Sequence, residues 1–234
     1  MSFVDNLTIN AQSEDPSRGA IDKALMLSSN DAELYSLAAY IYQYVDHNKQ
    51  LALLAQAAEQ LNFPPKIMEQ YIGALITQNK RQTALQLLEK YADNSKLTNK
   101  TLLAYMQLDA GLLEQASQST QTLLSQFPHK IEILQLAGEL SIKLGQIEDA
   151  KKFFQQSLKL DKHFRTALLA LAGLYLNNKQ YTNTIDIYKS ILKFSPKDSQ
   201  TLQLYADLAI KQQQPFLAIR LLAQLDAKQI EHQA

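Results

Sequence analysis

The sequence predicts an all-α fold, a solenoid of antiparallel helix hairpins. Three observations predict it. Residues recur at a fixed period: Ala116, Ala150, Thr184 and Ala218 are each 34 apart, as are Gly111, Gly145, Lys179 and Gln213, and Leu124, Leu158 and Leu192. A period in this range is that of stacked helical hairpins. The segments between breakers are 11 to 15 residues long with apolar spacing of three and four, which is the helical period. No Asn-Gly or Asp-Gly turn separates alternating apolar residues, so hairpin strands are not predicted.

The elements follow in order. Pro16 opens a helix over 17–28, where the missing N–H of a first turn costs nothing. Helices at 32–45 and 48–61 come next. Pro64 stops the chain and Pro65 starts the helix at 66–78, followed by 81–91 and 97–109. Gly111 falls just past that helix, where a left-handed cap needs a residue without a Cβ. The helix at 113–126 ends before Pro128. Gly145 separates 131–143 from 147–160, and Pro196 closes the pair 165–177 and 181–193. The series finishes with 199–211 and 215–225, the latter opened by Pro215. Loops of two to five residues force neighbouring helices to run antiparallel. Residues 1–31 read as an N-terminal tail with a lone capping helix, and 32–234 as a single solenoid domain. Within it 131–164, 165–198 and 199–232 keep strict register, while 65–96 and 32–64 are shorter by two and one residues.

Composition narrows the function. Lys+Arg and Asp+Glu both number 23, so the net charge is zero, which argues against a phosphate-tracking surface and hence against nucleic acid. There is no cysteine, which excludes disulfides and thiolate chemistry. No apolar run approaches the roughly 18 residues of a membrane span, so membrane insertion is not predicted. The first residues lack a basic start followed by an apolar stretch. The chain reads as soluble and cytoplasmic; a periplasmic chain whose signal had been removed would look the same.

The repeat positions resemble those of the tetratricopeptide repeat family, in six units over about 32–232. In 165–198 the pattern residues are Leu168, Leu171, Ala172, Tyr175, Thr184, Tyr188 and Pro196; in 131–164 they are Leu134, Ala137, Gly138, Ser141, Ala150 and Phe154. Small residues on the first helix (Gly138, Ala172, Ala206) meet small residues on the second (Ala116, Ala150, Ala218), and large ones fill the flanking holes. The resemblance implies a right-handed superhelix whose first helices line a concave face that holds a peptide or a partner helix. In that frame the inward-facing candidates are Thr101, Tyr105, Gln135, Glu139, Leu169, Gly173, Asn177, Gln203 and Asp207. An exposed Leu169 beside Gly173 would make a shallow apolar recess; the bland alternative is an ordinary solvated face.

One subgroup of the family catches the carboxylate tails of Hsp70 and Hsp90 with a basic clamp. The matching positions here are Gln135, Glu139, Ala170, Gln200 and Leu204, none of them basic. A carboxylate needs a cation, so such tails are not expected partners.

Other features carry weaker readings. Tyr35 and Tyr42 share one helical face and fit the core; Tyr40 and Tyr44 lie on another, as a contact anchor or, by the bland reading, packed against the helix at 17–28. The last helix reads PFLAIRLLAQL, apolar nearly all round. Terminal repeats need a polar outer face, so Phe216, Leu217, Leu221 and Leu225 are candidates for an interface with a partner or a second copy, unless residues 227–233 fold over them. Leu221 is expected to point where a next repeat would lie. His129 and His163 occupy equivalent loops, but two imidazoles make a poor metal site, and none is predicted. With no phosphate loop and no nucleophile elbow, neither a cofactor nor an enzyme is expected. The sequence thus predicts a non-catalytic protein-interaction scaffold or adaptor, of a bacterial assembly process by its Gln- and Asn-rich style. The alternative is a structural subunit or homo-oligomer that works through its apolar C-terminal end.

Overall fold

A computed structural model describes residues 16–91 and 96–231 of the chain. Residues 1–15 of the predicted tail, the loop at 92–95 and residues 232–234 lie outside it. The described residues are helical hairpins: α1 (Pro16–Leu27), α2 (Ala32–Tyr42), α3 (His47–Gln60), α4 (Pro65–Thr77), α5 (Arg81–Tyr91), α6 (Leu97–Asp109), α7 (Leu113–Gln126), α8 (Ile131–Lys143), α9 (Ile147–Leu160), α10 (Arg165–Asn177), α11 (Tyr181–Phe194), α12 (Ser199–Lys211) and α13 (Pro215–Glu231). The predicted helices are all present. Their packing divides the chain into two compact units, Met1–Met106 and Gln107–Ala234, with the boundary inside α6.

Two ends differ from expectation. The helix predicted over 32–45 stops at Tyr42, because Asp46 caps α3 by accepting the Lys49 N–H at 2.9 Å. Tyr44 and Val45 continue the apolar pattern but sit in the linker, exposed. At the other end α13 runs on to Glu231 rather than stopping at 225. No breaker follows Leu225, and every residue of DAKQIE is tolerated in a helix. Through Glu231, the segment that the alternative reading folds over as a cap therefore continues the helix.

In the N-terminal unit the core is built from Tyr35, Ala38, Leu54, Ala57, Ile67, Leu75, Ala84 and Leu88, all buried. Helix α1 covers the first hairpin through Ile21 and Leu25. A polar pin fixes it there: the Asp22 carboxylate accepts from the Tyr42 hydroxyl at 2.9 Å and from the Lys49 ammonium, which also donates to Tyr42 at 2.7 Å.

In the C-terminal unit Ala150, Phe154, Ala167 and Leu171 form one cluster, and Ala172, Tyr188, Leu202, Tyr205, Ala206 and Ala218 another. The small-against-large rule holds at the atomic level, since a Cβ on Gly138 would lie 2.4 Å from Phe154 Cε1. Thr184 replaces the expected Ala, is fully buried, and satisfies its hydroxyl on the Gln180 carbonyl at 3.2 Å.

The first helix of five successive repeats ends in the same way. Asn79, Gly111, Gly145, Lys179 and Gln213 are all left-handed, with φ of 58°, 75°, 74°, 58° and 58°. The next residue then donates back five positions: Lys80 to Leu75, Leu112 to Gln107, Gln146 to Ser141, Gln180 to Tyr175 and Gln214 to Ala209, at 2.8–2.9 Å. This closure satisfies carbonyls that the helix end would otherwise leave open. A side chain in the left-handed region costs about 1–2 kcal/mol, and the extra unfolded-state freedom of glycine takes back about half. Lys179→Gly and Gln213→Gly are therefore expected to stabilise the chain by about 0.5–1 kcal/mol each. An unchanged or lower urea midpoint in both variants would contradict this.

Candidate functional site

The first helices of successive repeats carry the inward positions predicted from the frame, and the structure places them unevenly. Gln203, Asp207 and Asn177 are exposed; Thr101, Tyr105, Glu139 and Gly173 are half-buried. Gln135 is buried, at 5% exposure, and donates its amide to Glu139 Oε1 at 2.6 Å. Gln203 makes the same i to i+4 bond to Asp207 Oδ1, at 3.0 Å. Thr101 turns its hydroxyl back to the Leu97 carbonyl at 2.9 Å. Leu169, expected at the surface, is half-buried against the cluster of α11 and α12, so it offers an edge rather than a free side chain. Gly173 is open: a Cβ there would meet nothing within 4 Å.

Carrying the same helix position back through the earlier repeats joins Tyr105 to Tyr40 and to Gly73, which the frame had not singled out. Tyr40, Gly73 and Tyr105 fall at equivalent positions of α2, α4 and α6, and Gly73 too has open space where a Cβ would stand. Beside it lies a cavity of about 400 Å³ lined by Glu69, Gly73, Ile76, Lys96, Thr98 and Leu102. Glu69 and Lys96 pair across its edge at 2.6 Å. The expected packing of Tyr40 and Tyr44 against α1 does not occur. They are 58% and 76% exposed and meet each other edge-to-face, with centroids 5.9 Å apart. Of the two readings the sequence offered for this pair, the exposed one describes it.

The C-terminal candidates separate likewise. Leu221, expected to face a next repeat, is only 5% exposed and packs with Leu202, Tyr205 and Leu208. Leu217 and Leu225 are half-buried on the same cluster. The apolar surface of α13 is carried by Phe216, 86% exposed, and by Ile219, which is 65% exposed and which the sequence reading did not single out.

Among the described residues no three His, Asp or Glu side chains gather as metal ligands, and no helix is long and apolar enough to cross a membrane. His163 instead stacks on Phe194, with centroids 3.6 Å apart.

No protein-family model matches the chain. Over 185 residues it is 25% identical to anaphase-promoting complex subunit 7 of Arabidopsis thaliana, covering 77% of this chain and 33% of that protein. It thus spans about a third of the length of that relative. Among solved structures, a tetratricopeptide repeat protein from Parabacteroides merdae superposes with a TM-score of 0.68 at 21% identity, covering 83% of this chain and 77% of the other. The helical hairpins thus have the tetratricopeptide repeat fold. A second tetratricopeptide repeat structure, that of YrrB, described as having an unusual peptide-binding site, superposes with a TM-score of 0.58 at 15% identity, covering 78% of this chain and 95% of that one. The tetratricopeptide hairpin explains why one row of side chains, four residues apart along each first helix, recurs on one face of every repeat.

Proposed function

We propose that the chain is a non-catalytic protein-interaction scaffold whose inner helix face holds a peptide or a partner helix, in an assembly process of a bacterial cell. The observation that carries this reading is one recurring position on the first helices, Tyr40, Gly73 and Tyr105 in one unit and Glu139, Gly173 and Asp207 in the other, with open space at both glycines. A prefolded face of this kind leaves most of the ordering entropy to the partner. The peptide-binding site ascribed to YrrB, a protein of the same fold, supports the same use.

The exposure of Phe216 and Ile219 favours a second reading, a structural subunit or homo-oligomer that works through α13. One pull-down separates the two. Tyr105→Lys combined with Gly173→Lys is expected to remove a copurifying protein by about tenfold or more, while Phe216→Lys combined with Ile219→Lys leaves it bound. The reverse pattern assigns binding to α13. Sedimentation of the purified chain at tens of micromolar checks self-association directly, and a monomer excludes the homo-oligomer.

A further inference from the structure

A glycine inside a helix costs about 0.5–1 kcal/mol relative to alanine, so each one calls for a reason. Gly138 has one in the fold, since a Cβ would strike Phe154. Gly73 and Gly173 have none: both sit mid-helix, and a Cβ on either meets nothing within 4 Å. They occupy the same position in their repeats. Their lack of a side chain keeps space free on the face proposed above for binding, and this inference rests on that reading.

The surroundings of Gly173 specify what could fill the space. One turn earlier on α10 stands Leu169, half-buried and apolar. At the position of Gly173, one repeat earlier is Glu139 and one repeat later is Asp207. Each carboxylate is steadied by a glutamine one turn before it, and neither is in an ion pair among the described residues. Gln135 adds an independent mark. It is 95% buried by the complement of its 5% exposure, and its carbonyl oxygen has no donor although its amide is fixed on Glu139. A buried acceptor without a donor is costly, and this one belongs to the side chain that holds the Glu139 carboxylate. Lys143 and Lys211, one turn further along α8 and α12, are exposed and oppose a run of positive charge.

We infer that the Gly173 recess takes a single arginine or lysine side chain from an otherwise uncharged peptide segment. Its aliphatic stem lies along Leu169 and its cationic head faces Glu139 and Asp207. A long stem with a charged tip suits a site that is apolar at one level and acidic beside it.

The test uses the full chain and a random dodecapeptide display library as probe, with the selected peptides measured by fluorescence polarisation. The expected consensus carries one Arg or Lys among uncharged residues. Gly173→Gln is expected to weaken binding about tenfold without lowering the melting temperature, because the space is open. Glu139→Gln with Asp207→Asn is expected to weaken it about tenfold, and binding falls as salt rises to about 0.5 M. A consensus without a basic residue, or affinity indifferent to these three substitutions, overturns the inference. If such peptides are instead lost on Gly73→Gln or Tyr40→Ala, the inner face still binds and only the Gly173 assignment fails. If no inner-face change matters, or no peptide is selected, both readings fail.

Discussion

Gly138→Ala is expected to destabilise the protein by about 2 kcal/mol, even though alanine is the better helix former by about 1 kcal/mol. The steric term decides the sign. A Cβ at this position would stand 2.4, 2.6 and 2.8 Å from three ring carbons of Phe154. Phe154 has no exposed surface and sits among Ala150, Ala167, Leu171 and Leu174, so the ring cannot swing aside. Overpacking a closed core of this kind costs about 1–3 kcal/mol, and contacts this short place the cost near the upper end. Gly173→Ala provides the opposite case on the next inner helix. Its Cβ enters open space, so only the helical gain remains and stability rises by about 0.5–1 kcal/mol. Two identical substitutions, 35 positions apart, thus act with opposite sign. Phe154→Leu, mildly destabilising alone, is expected to recover about 1 kcal/mol or more in the Gly138→Ala background. Urea titration of the native chain and the four variants reads all of this, and an equal stabilisation by both alanines would remove the close-packing account.

The sequence made the helices legible because prolines and the period mark their edges independently. Pro64–Pro65, Pro128, Pro196 and Pro215 fall at the ends the structure confirms. Where such marks were missing, at Tyr44–Val45 and beyond Leu225, the apolar pattern gave the wrong end, since periodicity reports burial and a helix can outlast it. The candidate surfaces were less legible for a related reason. Register sorts positions into faces, but depth depends on how far each side chain is overlapped by the next helix. Leu221 and Gln135 hold frame positions that suggested availability, yet both are buried. Tyr40 and Tyr44, read as a contact anchor or as packed against the helix at 17–28, are exposed. The small-residue rule named Gly138, Ala172 and Ala206, and the frame put Gly173 on the inner face, but neither shows how strongly the core demands a glycine. Only the position of the Phe154 ring does.

Replacing Asp198 is expected to weaken the junction between the last two repeats, and to do so in a pH-dependent way. Asp198 caps α12 by accepting the Thr201 N–H at 2.8 Å. It also receives Arg165, the first residue of α10, through Nε at 2.6 Å and Nη2 at 3.0 Å. One carboxylate therefore ends one repeat and holds the next. The two bonds from Arg165 do most to hold its carboxyl at about 2, well below the usual carboxylate range; partial burial opposes them and the Thr201 N–H assists. A folded-state value below the unfolded one, which is about 3.9, stabilises the protein fully above about pH 4. The contribution fades as pH falls from about 4 to about 2 and is gone below it. The shift alone corresponds to at most about 2.5 kcal/mol. Asp198 is 12% exposed but Arg165 is 42% exposed, so solvent screening reduces the effect to about 1–2 kcal/mol. Asp198→Asn keeps a capping oxygen and loses the ion pair, and is expected to cost about 1 kcal/mol at pH 7; Asp198→Ala loses the cap as well and costs about 2. The gap between the native chain and Asp198→Asn is expected to close as pH is lowered to about 2, with the loss localised by hydrogen exchange to α12 and α13. A gap independent of pH would mean that the carboxylate's charge contributes nothing and that the cap alone holds this junction.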